Sequence, residues 1–132
     1  MIEPAIPARL WAMRYDASCF PGSTKMRDGF ANCQTFAYAV LRHFGRTIPD
    51  FRSSELWEDG DYTFVVEQFC LLDLILFNRA RRAFGAHVGV FVGENNVLHL
   101  SRRVGVPAVW RLHEFAEIAS YRVLVGGKRT RK

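Results

Sequence analysis

The feature that most constrains this 132-residue chain is a change of hydrophobic period about a third of the way along it. Across residues 33–44 the apolar side chains fall at Cys33, Phe36, Ala37, Val40, Leu41 and Phe44. Steps of three and four draw a single stripe down an α-helix, which must be buried on one side. Asn32 stands where an N-cap belongs and Gly45 where the chain leaves the helix. Beyond it the period shortens. Residues 62–66, 72–77, 87–92, 96–101 and 121–125 are short runs rich in Val, Leu, Ile and Phe, separated by Gly, Asn and Arg clusters. Gly93, Glu94 and Asn95 are short enough to make a hairpin of the third and fourth runs. Residues 8–13 and 110–119 read as short helices, and Ser53 or Ser54 begins a helical turn. A leading helix followed by an antiparallel meander predicts an α+β domain, the helix lying on one face of about five strands.

Composition narrows the function classes. Hydrophobic residues make up 49% of the chain and aromatics 14%, enough for one packed core and too much for a disordered segment. We expect a single domain over residues 1–127 and a basic tail over 128–132. The formal charge of +5 arises from 18 basic and 13 acidic side chains, and Lys128, Arg129, Arg131 and Lys132 supply most of the excess. A nearly neutral body gives no reason to expect a nucleic-acid partner. No run approaches the roughly 20 apolar residues of a membrane-spanning helix. The opening MIEPAIPARLWAMRYDA carries Glu3 and two prolines and lacks the pattern of a secretory signal. A cytoplasmic location is therefore expected, with export by another route as the alternative. Three widely spaced cysteines, Cys19, Cys33 and Cys70, form neither a CxxC pattern nor an even set, so neither a disulfide framework nor a cofactor is expected.

Cys33 is the residue of most chemical interest. In the first turn of the helix it faces unpaired backbone N–H groups and the positive end of the dipole. Both favour thiolate, so its pKa is expected below the usual value of about 8.5. The plainer alternative is a small buried hydrophobe. A nucleophile needs a base. His43 lies late in the helix and His113 beside Glu114 in a surface segment, whereas His87 and His99 flank the predicted hairpin turn. Positions 87, 89 and 91 share a face with 97, 99 and 101, so His99 is placed to fix the tautomer of His87. A zinc site of Cys33, His87 and His99 has suitable ligand types, but the spacing matches no metal motif.

These residues resemble the NlpC-type cysteine peptidases, compact papain-like enzymes. The matching stretches are NCQTFAYAVLRHFG, LLDLILF and HVGVFVGENNVLHLS, and His99 follows His87 by twelve positions, the interval between the histidine and the third polar site residue in that family. The resemblance covers roughly residues 30–101 and implies a papain-like core with the catalytic helix packed on the sheet. It makes Cys33 the nucleophile, His87 the general base and acid, and His99 the orienting residue. It implies cleavage of an amide, typically the γ-D-glutamyl–diamino acid bond of peptidoglycan stem peptides, through a thioester. Tyr15 is the candidate for an upstream tyrosine that completes such sites. Asn32 and Gln34 occupy the positions of the family's Asp and Ser, which shape the substrate pocket; Thr35 and Leu72 each replace a Gly. NC-x-x-F is also similar to the lecithin–retinol acyltransferase group, but there the histidines precede the cysteine.

Arg82, with Arg79 and Arg81, lies just before His87 and is a candidate for holding substrate carboxylates. The expected partner is a peptide or amide substrate; the oligomeric state is left open. Two alternatives stand beside hydrolysis. One is an acyltransferase or amidase acting on a small intracellular metabolite or peptide. The other is a non-catalytic binding module of the same fold.

Overall fold

The computed structural model describes residue 2 and residues 5–132. After a short helix α1 (Ala8–Trp11), the strands β1 (Arg14–Tyr15) and β2 (Phe30–Ala31) pair in parallel and lead into α2 (Cys33–His43). The start of α2 is closed by a capping box. Asn32 Oδ1 accepts the N–H groups of Gln34 and Thr35 at 3.0 and 2.9 Å, and Thr35 Oγ1 accepts the Asn32 N–H at 2.9 Å. Its end is a Schellman turn: Gly45, at φ +80°, and Arg46 donate to the carbonyls of Arg42 and Leu41. Thus Thr35, where the resembled family has glycine, completes the cap.

The remaining elements are α3 (Ser53–Glu58), β3 (Thr63–Val66), β4 (Leu74–Asn78), β5 (His87–Gly93), β6 (Asn96–Leu100), β7 (Pro107–Arg111), α4 (Leu112–Phe115) and β8 (Val123–Thr130), with a 3-10 turn at Ala119–Tyr121 before the last strand. Six of the strands form one antiparallel sheet in the order β3-β8-β4-β5-β6-β7. Phe36, Val40 and Leu41 of α2 share the main core with Leu74, Leu76, Val88, Val90, Leu98 and Leu100. On the opposite face Ile75, Phe77, Phe91 and Val97 are sealed by Phe115 of α4. Burial on both faces explains why the central strands read as continuous apolar runs rather than alternating ones. Among the described residues no helix is long and apolar enough to cross a membrane.

The expected architecture holds, with three corrections. The sheet has six strands rather than about five, because β7 is an additional edge strand; Trp110, expected in a helix, pairs with Val97. Pro107 is tolerated there as an edge strand's first residue. The helix expected over 110–119 is a single turn, Leu112–Phe115. The basic tail expected from residue 128 is instead ladder: β8 runs through Lys128 and Arg129 to Thr130. The Lys128 ammonium donates to the carbonyls of Trp57 and Asp59, and Arg129 forms an ion pair with fully buried Asp73 through Nε at 2.8 Å. Long basic side chains carry apolar stems that a sheet can bury once their heads find acceptors.

Candidate active site

The site lies where the start of α2 meets the start of β5. Three local devices assemble it. The β1–β2 pairing sets Tyr15 beside Ala31, two residues before Cys33. The capping box holds the first turn of α2, with the Cys33 sulfur facing the backbone N–H groups of Val88, Gln34 and Cys33 itself. The β5–β6 hairpin turns at Glu94 and Asn95, both at positive φ. Its register sets Val90 opposite Leu98 and thereby Gly89 opposite His99.

Gly89 explains the HVG sequence physically. A Cβ at this position would lie 2.4 Å from Val97 Cγ1 and 3.3 Å from His99 Cβ. Only glycine lets the second strand come this close. The close approach brings His87 Nε2 to 2.8 Å from His99 Nδ1, with the rings nearly perpendicular. Behind them, His99 packs against Trp110 and Phe115 at ring-centroid distances of 4.4 and 4.7 Å. Its Nε2 is buried without a hydrogen-bond partner. Tyr121 stacks on His87 at 4.4 Å, and its hydroxyl is held by Ser101.

Burial decides the charge states. It pushes the Cys33 thiol up to about 11, against the opposing pull of the three N–H groups. The thiolate expected from the helix start alone is thus corrected: although Cys33 as a whole is half-buried, desolvation of its sulfur where the two grooves meet outweighs the helix terminus. Burial likewise lowers His87 to about 3, and His99 to about 2 with a further contribution from His87. The resting site holds a neutral thiol and two neutral imidazoles. Tyr15 and Tyr121 are both raised, chiefly by burial and then by Cys33, so both phenols keep their protons.

Two grooves meet at Cys33. The first, about 400 Å³, is lined by Phe20, Asn32, Gln34, Arg52, Ser53, Ser54, Glu55 and Phe84 among others. The second, about 320 Å³, is lined by Cys33, His87, Tyr15, Tyr121, Ser120, Asn78, Arg79 and Arg82, and shares Phe84, Gly85 and Ala86 with the first. The structure therefore brings Cys33, His87 and His99 into one region, with Tyr15 and Arg82 on one side and Asn32 and Gln34 on the other. Asn32 reaches the groove with its Oδ1 already engaged by the cap. Sequence reasoning missed Arg52, Phe84, Trp110, Phe115 and Tyr121. No local pattern marks them, since each reaches the site through tertiary packing.

No protein-family model matches the sequence, and no curated protein matches it significantly. Solved structures do match the fold. An NlpC/P60 family protein from Bacillus cereus ATCC 10987 is 25% identical with a TM-score of 0.57, the match covering 76% of this chain and 32% of that one. This chain thus spans about a third of that protein's length. The NlpC/p60 domain of the peptidoglycan hydrolase SagA is 19% identical with a TM-score of 0.58, covering 83% of this chain and 86% of that domain. The chain has the NlpC/P60 fold, the papain-like fold of a cysteine hydrolase family.

Proposed function

We propose that the protein is a cysteine peptidase or amidase in which Cys33, His87 and His99 act as a triad. The observation that carries this reading is the buried 2.8 Å contact of His99 Nδ1 with Nε2 of His87, the histidine that lines the same groove as Cys33. With Nε2 engaged, Nδ1 is the nitrogen of His87 left to serve the sulfur. In this reading His87 is the general base. The Cys33 sulfur attacks an amide carbonyl carbon while its proton passes to His87. The oxyanion forms beside the Cys33 N–H at the start of α2, with the protonated Tyr15 phenol as a second donor. His87 then returns the proton to the departing nitrogen, the C–N bond breaks, and the amine leaves. Water attacks the thioester, giving its proton to His87, and the acid departs as the thiol is restored.

The resemblance of the Cys33 and HVG motifs to the NlpC-type peptidases supports a stem-peptide substrate cut at the γ-D-glutamyl–diamino acid bond, and one fold neighbour is a domain of a peptidoglycan hydrolase. Mass spectrometry of γ-D-glutamyl peptides and muropeptides incubated with wild type and Cys33→Ala tests the reading. Cleavage, or a covalent acyl adduct on Cys33, is expected in wild type alone. Equal cleavage by both proteins would refute it, as would the absence of any adduct or product. Transfer of the acyl group to an added amine, instead of to water, would replace hydrolysis by acyl transfer.

A further inference from the structure

The two grooves at Cys33 differ in charge. Resting on the triad reading above, the groove that contains His87 takes the amine half of the substrate, since His87 must protonate the leaving nitrogen. That groove is lined by Arg79 and Arg82 and by no carboxylate. In the other groove Arg52 is accompanied by Glu55, whose Oε1 accepts the backbone N–H of Arg52 at 2.8 Å. Among the described residues the ion pairs are Arg27 with Asp16 and Arg129 with Asp73, so the guanidinium groups of Arg79 and Arg82 have no acidic partner.

The segment that carries them is held in place. Asn78 is 7% exposed; its Nδ2 donates to the carbonyls of Arg82 and Phe84 at 3.0 and 2.9 Å, and its Oδ1 accepts the Arg79 N–H at 2.9 Å. From outside, Arg122 Nε donates to the Arg79 carbonyl at 3.2 Å. A buried amide thus fixes both ends of the Arg79–Arg82 turn at the mouth of the groove. Both side chains are exposed and line one groove, and guanidinium forks suit an entering carboxylate.

We infer that the groove beside His87 is an anion subsite, so that the amine released from the substrate carries a carboxylate, held by Arg79 and Arg82. The substrate class is an amide of an amino acid or another amine bearing an acid group.

Alkylation of Cys33 by iodoacetate and by iodoacetamide, read at the Cys33 peptide by mass spectrometry, tests this in the intact protein. The iodoacetate-to-iodoacetamide rate ratio is referred to that of a small free thiol. A guanidinium on the order of 7 Å from an incoming carboxylate in water favours it about threefold, so two give roughly tenfold at low salt. The excess should fall toward about twofold near 0.5 M salt. The double variant Arg79→Gln/Arg82→Gln should lose it, whereas Arg52→Gln, beside Glu55, should retain most of it. A wild-type ratio equal to that of the free thiol would overturn the subsite, as would equal losses in both variants. Failure of the triad reading looks different: iodoacetamide labelling of Cys33 would then be unaffected by His87→Ala.

Discussion

Replacing Gly89 by alanine tests the packing that lets the two histidines meet. The added Cβ would stand 2.4 Å from Val97 Cγ1, over 1 Å inside the roughly 3.5 Å at which carbons rest in contact. Val97 is fully buried and packed with Ile75, Phe77, Phe91 and Phe115, so it has little room to turn away. Overpacking of this kind costs about 1–3 kcal/mol. The reduced entropy of the unfolded chain returns about 0.4–1 kcal/mol. The expected net loss for Gly89→Ala is about 1–2 kcal/mol. Val97→Ala removes the atom that clashes and by itself loses about 2 kcal/mol of burial. In that background the new methyl enters vacated space, so Gly89→Ala should then cost less than about 0.5 kcal/mol. Urea unfolding of the four proteins of this cycle gives the coupling, expected near 1–2 kcal/mol in favour of the double variant. Additive effects would refute the reasoning, because the glycine would then serve something other than close strand approach.

Three further predictions concern charge and backbone. Because burial holds His87 near 3 and His99 near 2, the unfolded chain takes up protons near pH 6.5 that the folded chain refuses. Stability should be complete above about pH 6.5 and fall below it by up to about 1.4 kcal/mol per pH unit for each histidine. His99→Gln should halve that slope between about pH 6 and 5 in urea titrations; an unchanged slope would contradict the buried neutral pair. Arg129→Met should destabilise by about 3 kcal/mol and Asp73→Asn by less, because the first strands a fully buried carboxylate whereas Arg129 remains partly exposed. The opposite order in chemical denaturation would show that Asp73 is not the more demanding partner. Leu72 sits at φ +72°, a conformation costing a bulky residue about 1–2 kcal/mol, yet it is buried in the main core. Leu72→Gly should therefore lose only about 1 kcal/mol, well under half the loss from Leu74→Ala, as compared by thermal unfolding.

Much of the site was legible because its signals are local. The stripe from Cys33 to Phe44, the Asn32 cap and the Gly45 exit describe a helix whose hydrogen bonds close within a few residues. His87 and His99 lie on one hairpin, so a two-residue side-chain period and a short turn were enough to bring them together. The number of strands was less legible. β7 begins with a proline and lies at an edge, where neither propensity nor burial is strong. The last strand carries charges that composition alone assigns to solvent, until Trp57, Asp59 and Asp73 supply partners from far along the chain.

By itself the sequence determined the helix that presents Cys33 and the hairpin that pairs the histidines, since each depends on neighbours within about a dozen positions. Tertiary structure alone decided what surrounds them: Tyr121 stacked on His87, Trp110 and Phe115 around His99, and the desolvation that raises the Cys33 thiol. Desolvation is a property of everything packed around a group, so no short stretch of residues encodes it.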